Sequence, residues 1–375
     1  MEFLKKIQSL FKAKEEVVGI DIGSNTIKLA SVSYNSNSCS LTRLYTCPTP
    51  PMTIKDGAII DAHALGETIG NLLRESGFST SNPPRLVSSV AGQSVVIRPI
   101  TMAQMTEREL RGAIRFEAER YLPYSVTEAM VSGMMLKKSE GKADNSEGQM
   151  DVLLVAAPNE MVKNTREVIQ QAGATPHAVD LEPFALLRAL GAGYDKSTLD
   201  KTIALINLGA ASSSINIFKA QELRHNRTIG VAGNSFTKAI GQSLNLSFEE
   251  AERIKKEKGQ IRVENDATPV APTTMRIFNV VIPVLTELIT EVQRSFDYYR
   301  SRYQNETVDL VILTGGTARF KNIEVYMSNE LGVECQIANP FRGMSLQDVK
   351  GTSAQDIEDM APMAMVVMGL ALRRE

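Results

Sequence analysis

Two segments, about half a chain apart, carry the same arrangement of residues able to hold a phosphate. The first reads G-I-D-I-G-S-N-T-I-K-L-A-S-V, with Asp21 and Gly23 at a turn between two β-branched runs and Ser24, Asn25 and Lys28 close behind. The second reads I-A-L-I-N-L-G-A-A-S-S-S-I-N-I-F, with Asn207 and Gly209 at the equivalent turn, followed by Ala210, Ser212 and Ser213. Glycine lets the backbone turn sharply, and small polar residues leave main-chain N–H groups and hydroxyls facing an anion. Asp21 closes a buried strand, where its charge needs compensation. A hydrated Mg²⁺ bridging phosphates supplies it, the carboxylate acting through water. Lys28 reaches the same phosphate region. One such hairpin is also an ordinary Gly-Ser turn, but two of them predict like halves facing a cleft.

A third glycine element, L-V-I-L-T-G-G-T-A-R-F, follows an apolar strand and is expected to open a helix. There Gly315 and Gly316, followed by Thr317, permit close approach of a flat ring or a sugar. The helix E-E-A-E-R-I-K-K-E-K-G puts Glu252 and Lys255 three apart on one face, suited to a ribose hydroxyl and a base edge. The same spacing occurs on plain solvated helices.

The elements that must position these residues are legible as alternating β-branched runs and helical patterns, an α/β layout. Strand runs fall at Val17 to Ile22, Ile27 to Val32, Leu153 to Ala157, Ile203 to Leu208, Ile215 to Phe218 and Val308 to Leu313. Breaks at Pro48 to Pro51, at Pro83 and Pro84 and near Pro269 punctuate them, and the polar run Ser139 to Gln149 reads as a mobile loop. Between the first hairpin and the middle of the chain, Thr106 and Glu109 form a T-x-x-E capping box. It opens a helix on which Leu110, Ile114 and Tyr121 share a side and which Pro123 ends.

With 375 residues, 43% of them apolar, the chain can fill more than one core. A balance of 41 basic against 43 acidic residues excludes the global positive field of a nucleic-acid binder. Three scattered cysteines predict neither a disulfide framework nor a zinc site and fit a reducing cytosol. No apolar run is long enough to span a bilayer. Residues 1–16 place Phe3, Leu4, Ile7, Leu10 and Phe11 opposite Lys5, Lys6 and Lys12, an amphipathic segment that lies on a membrane, docks on a partner, or simply flanks its domain or frays.

Two phosphate hairpins and a late T-G-G-T, in this order, are similar to the actin, heat-shock chaperone and sugar-kinase superfamily. Within it, V-I-R-P-I through E-A-E-R-Y-L-P-Y, together with L-E-P-F-A-L-L, E-V-Q-R-S-F-D-Y-Y and G-L-A-L-R-R, resembles the PilM family of type IV pilus assembly proteins, related to FtsA. The resemblance implies an actin-like fold with ATP and Mg²⁺ as cofactors. It implies subdomain 1A over 17–85 and 151–198, an inserted 1C over 86–150, 2A over 199–232 and 306–375, and 2B over 233–305. Glu182 matches a position that orients the attacking water, whereas Asn207 stands where many relatives place aspartate, so slow or absent hydrolysis is expected. The implied role is a cytoplasmic scaffold, peripheral to the inner membrane. It would bind the N-terminal tail of PilN under the PilN and PilO platform, communicate with the pilus motor ATPases and be open to forming a homo-oligomer. Glu117, Glu119 and Tyr121, beside a strand at Ser94 to Ile100, are the expected tail contacts, in a groove between the first domain and the insert. An FtsA-like filament and a small-molecule kinase are the alternatives; an FtsA-type membrane helix is not evident after G-L-A-L-R-R-E, and no Trp or sugar-binding constellation supports the kinase.

Overall fold

The computed structural model describes residues 17–34, 39–55, 57–79, 81–136, 148–262, 271–346 and 349–374. The strands, in chain order, are β1 (Val17–Ile22), β2 (Thr26–Tyr34), β3 (Cys39–Pro48), β4 (Ile54–Lys55), β5 (Ala58–Ile59), β6 (Arg85–Val90), β7 (Val96–Ala103), β8 (Ala129–Met135), β9 (Gln149–Pro158), β10 (Thr175–Leu181), β11 (Ile203–Leu208), β12 (Ser213–Lys219), β13 (Glu222–Ile229), β14 (Leu310–Thr314) and β15 (Cys335–Ile337). The helices that matter below are α1 (Ala62–Glu75), α2 (Glu107–Ala118), α3 (Glu182–Gly193), α4 (Gly233–Leu244), α5 (Phe248–Lys258), α6 (Pro272–Arg302) and α7 (Met365–Ala371).

The described residues group into two units. One takes those up to Ser89, Asn164–Asp195 and those from Ala338; the other takes Val90–Lys163 and Lys196–Ile337. In the first, five strands lie in the order β10-β6-β1-β2-β3, with β1 antiparallel to β2 and parallel to β6. Val18, Ile20, Ile27 and Leu29 pack with Leu65, Ile69 and Leu72 of α1. Alternation sends Gly19 to the opposite face, and α7 lies so close there that a Cβ would strike Val367 and Ala371 backbone atoms.

The second unit repeats this plan. Its strands run β13-β12-β11-β14-β15, with β11 antiparallel to β12 and parallel to β14. Both sheets thus carry an antiparallel three-strand meander whose first strand pairs in parallel with a further strand, β6 or β14, and a fifth strand lies beyond it, which is the internal echo of the sequence made physical. Buried residues of α6, among them Ile277, Val281, Leu285 and Val292, cover one face. The same unit holds a three-stranded sheet, β7-β9-β8, on which α2 lays Leu110, Ile114 and Ala118. The Thr106–Glu109 capping box is formed as expected.

Segment boundaries differ from the expected ones. β6 runs to Val90 within the first sheet, and β9 pairs with β7 and β8, so the insert extends to the end of β9 rather than to residue 150. Residues from Ala338 onward group with the first unit, not with 2A, because α7 buries nearly all of its side chains against β1 and α3. A short apolar helix gives no sequence signal for which sheet it covers. The amphipathic segment 1–16 and most of the polar run Ser139 to Gln149 lie outside the described residues.

Candidate functional site

The first hairpin is built where β1 turns into β2. Asp21 stands opposite Lys28 in the ladder, and their side chains are joined at 2.8 Å. Gly23 turns so tightly that a Cβ would lie 2.8 Å from the Thr26 carbonyl. Thr49 braces the turn: its hydroxyl donates to the Gly23 carbonyl at 2.6 Å, and its N–H donates to the Asn25 carbonyl at 3.2 Å. Ser24 belongs to the same turn. Thr49 was not foreseen; nothing in P-T-P-P suggests a hairpin brace. Asp21 offers one carboxylate already paired with an ammonium, which fits a Mg²⁺ held through water rather than directly. Among the described residues no group of three or more His, Cys, Asp or Glu side chains is placed to hold a metal on its own.

The second hairpin, between β11 and β12, sits within a denser cluster. Gly233 and Asn234, opening α4, donate to the Gly209 and Ala210 carbonyls at 2.9 and 2.8 Å. The Ser213 hydroxyl donates to the Val231 carbonyl at 2.7 Å. Thr317 approaches the same glycine turn, since a Cβ on Gly233 would lie 2.8 Å from its hydroxyl. Lys255 donates to the Gly233 carbonyl at 3.1 Å and to Thr237 at 2.8 Å, and pairs with Glu252 at 2.6 Å. Gly209, Ala210, Ser213, Glu252, Lys255 and Thr317, more than a hundred residues apart at the extremes, are therefore brought together. Burial weakens the Lys255 ammonium's hold on its proton. Burial also pushes the Glu252 carboxyl up, but hydrogen bonds from Lys255 and Thr237 outweigh it and hold the group below its usual range.

After β14 the chain enters a short 3-10 turn, Gly316–Arg319, not the regular helix expected. Gly315 has a φ of 93°, and a Cβ there would meet Leu208 backbone and the Asn207 side chain. Nothing lies within 4 Å of a Cβ built on Gly316. Asn207 itself faces Ser214 and Thr314 in neighbouring strands. Glu182 occupies the first turn of α3, just before Pro183, a favourable place for a carboxylate at a helix N-terminus.

Of the expected tail contacts, Glu117 and Glu119 lie at the end of α2, and Tyr121 meets Arg98 of β7. Glu117 pairs with Arg120 at 3.0 Å, Glu119 caps α2, and Tyr121 packs on the insert's own core beneath the Arg98 guanidinium. The strand, β7, also lines a cavity of about 1070 Å³ whose opposite wall is β13, with α6 contributing Glu287, Glu291, Arg294 and Tyr298. β7 and β13 each end their sheets, so two strand edges border one groove. Arg227 pairs with Glu291 at 2.5 Å, and Arg302 donates to the Pro99 carbonyl at 3.2 Å. His225 stacks on Tyr298, and burial together with Arg227 and Arg302 lowers its pKa to about 4, so it is neutral at physiological pH. The wall formed by β13 had no sequence signal, because E-L-R-H-N-R-T-I lacks clean alternation.

Among the described residues no helix is long and apolar enough to cross a membrane. The model of the family described as Type IV pilus assembly protein PilM matches residues 19–375. A solved PilM-PilN type IV pilus biogenesis complex is similar over 96% of this chain and 98% of that one, at a TM-score of 0.81 and 28% identity. Cell division protein FtsA of Enterococcus hirae is 20% identical over 361 residues, covering 84% of this chain and 79% of that protein. MreB 5 of Spiroplasma citri bound to AMPPNP shares the fold at a TM-score of 0.54 and 12% identity, over 95% of each chain.

Proposed function

We infer that this chain, which belongs to the PilM family of type IV pilus assembly proteins, is an actin-like scaffold of the pilus machine that binds PilN. The observation that carries the reading is the likeness, over nearly the whole of both chains, to the PilM-PilN complex. FtsA-type relatives keep a filament-forming role as the second reading. The scaffold would work in the cytoplasm and reach the inner membrane through its partner.

The tail of PilN is proposed to dock in the groove bordered by β7 and β13, as an extended segment hydrogen-bonding to a strand edge, with side chains gripped by the groove walls. This moves the site away from Glu117, Glu119 and Tyr121. A fluorescence titration with labelled PilN tail is expected to give wild-type affinity for Glu119→Ala. Arg98→Glu, in the β7 wall, should weaken binding at least about tenfold, an effect of about 1.4 kcal/mol. The opposite pattern would return the site to the helix.

ATP is proposed as the cofactor. The second-unit cluster of Gly209, Ala210, Ser212, Ser213, Glu252, Lys255, Gly315, Gly316 and Thr317 would contact phosphate, ribose and base. The first-unit hairpin of Asp21, Gly23, Ser24, Asn25 and Lys28 would take phosphate and Mg²⁺. Bound Mg²⁺ would neutralise phosphate charge, and Asp21 would orient its waters. Glu182 would orient an attacking water, but Asn207 supplies no negative charge, so turnover should be slow. Calorimetric titration is expected to show Mg²⁺-dependent ATP binding that Asp21→Ala weakens about tenfold or more, since a carboxylate through water contributes on the scale of a charged hydrogen bond. Unchanged affinity in that variant would remove the hairpin from the site.

A further inference from the structure

A bare strand at the edge of a sheet invites pairing with another chain unless charge, proline or a covering segment guards it. Among the described residues, the sheet edges longer than three residues are guarded in this way, with one exception. β10 carries Pro176, β13 carries Arg224 and Arg227, and β7 carries Arg98 and Pro99. β3 carries Arg43 and is bridged to Ser345 and Lys350. The exception is β8, A-M-V-S-G-M-M, which has neither charge nor proline, and no described strand pairs with its outer side.

We propose that β8 is a docking edge for an extended segment of another protein, one in which acidic and apolar residues alternate. That chemistry follows from what stands on either side of the edge. On one side lies α2, with Ile114 packed so closely on β8 that a Cβ on Gly133 would lie 2.9 Å from it. Leu110, Ile114 and Ala118 point into the core, Ala113 and Glu117 fall on the half-buried flank of the helix, and Arg108, Arg111 and Arg115 fall on the exposed flank. Arg115 donates to the Val126 carbonyl at 3.1 Å, in the turn that leads into β8, so the arginine flank overhangs the bare edge. Arg111 pairs with Glu107, but both side chains are largely exposed, and so weak a pair leaves the guanidinium open to a better-placed carboxylate. On the other side of the sheet, Met130 and Met134 are 54% and 52% exposed. Methionine adapts to apolar groups of varied shape. A strand added along β8 turns every second side chain toward the arginines and the rest toward the methionines, while its backbone supplies the pairing. A second copy of β8 fits less well, because it brings no carboxylate to the arginines. This edge is at the far end of its sheet from β7, so the proposal stands apart from the reading of the groove.

The test titrates the full chain against two fluorescently labelled peptides, V-E-V-E-V-E-V and V-K-V-K-V-K-V. The acidic peptide is expected to bind at least about tenfold more tightly, and the preference should reverse in the double variant Arg111→Glu, Arg115→Glu. Both side chains are exposed, so the variant's circular dichroism should match wild type. In wild type, which needs no variant, amide hydrogen exchange should slow over residues 129–135 on adding the acidic peptide and stay unchanged over 96–103. Absent binding of the acidic peptide, equal affinity for the two peptides, an unreversed preference in a folded double variant, or protection confined to 96–103 overturns the proposal. A dimer of the protein alone in sedimentation, dissolved by Ser132→Lys, also overturns it, since the edge would then belong to a second copy.

Discussion

Valine at position 316 is expected to abolish ATP binding, by at least about 100-fold or about 2.8 kcal/mol, while melting temperature and circular dichroism stay at wild-type values. Valine at position 315 is expected to unfold the second unit. The two adjacent glycines differ because their surroundings differ. A Cβ on Gly316 meets nothing within 4 Å, so a branched side chain fits the free protein and occupies the space the nucleoside is proposed to take. Gly315 stands at a φ of 93°, where an L side chain is strained by about 1–3 kcal/mol. Its Cβ would also press into the β11 backbone at Leu208 and into Asn207. Strain and overpacking together should cost about 3 kcal/mol or more. Undiminished ATP binding by a folded Gly316→Val protein would take the late glycine pair out of the site, and a wild-type melting curve for Gly315→Val would refute the packing account.

That contrast also marks how far the sequence could be read. T-G-G-T announced a close approach, yet it could not assign the two glycines different duties, because the Leu208 carbonyl that crowds Gly315 belongs to a strand about a hundred residues earlier. The hairpins were legible since their information is local: strand, glycine, small polar residues, strand. Recognising the two copies predicted two like halves, but not the further strands that extend each sheet. Glu252 and Lys255 were found as a pair, but Thr237, which bonds both, sits in a helix where threonine carries no signal. Longer-range placements were the least legible. Tyr121 reads equally well as a groove or a core residue from its spacing, and in the structure it is partly buried against the cluster of Leu110, Ile114, Ile100, Val152 and Leu154. The groove itself needs β7 and β13, more than a hundred residues apart, to lie along one cavity.

The same limit applies to the C-terminal helix, and there it has a measurable consequence for the first hairpin. Replacing Gly369 by alanine, a change of one methyl group, is expected to destabilise the first unit by about 3 kcal/mol or more. The Cβ would run into the Ala185 carbonyl carbon and oxygen in α3, backbone atoms of a helix whose own Ala185, Leu186 and Ala189 are fully buried. Backbone inside two packed helices cannot step aside as a side-chain tip can, so α7 must lift. Its other side lies on β1 at Gly19, where the Cβ would again strike backbone, and β1 continues through Asp21 to Ile22, just before Gly23. Lifting α7 therefore loosens the strand that positions the hairpin. The Arg188 guanidinium, which donates to the Gly369 carbonyl at 2.8 Å and pairs with Asp180, ties the helix down at the same residue. At about 2–4 °C per kcal/mol for a unit of this size, the first thermal transition should fall by about 6–12 °C, with Mg²⁺-dependent ATP affinity reduced in parallel. Alanine at position 112, an exposed helical glycine with open space around its Cβ, is the matched control and should raise stability slightly, since alanine is the better helix former by about 1 kcal/mol. A Gly369→Ala protein that melts within a degree of wild type would show that the two helices yield, and α7 could no longer be held to fix β1.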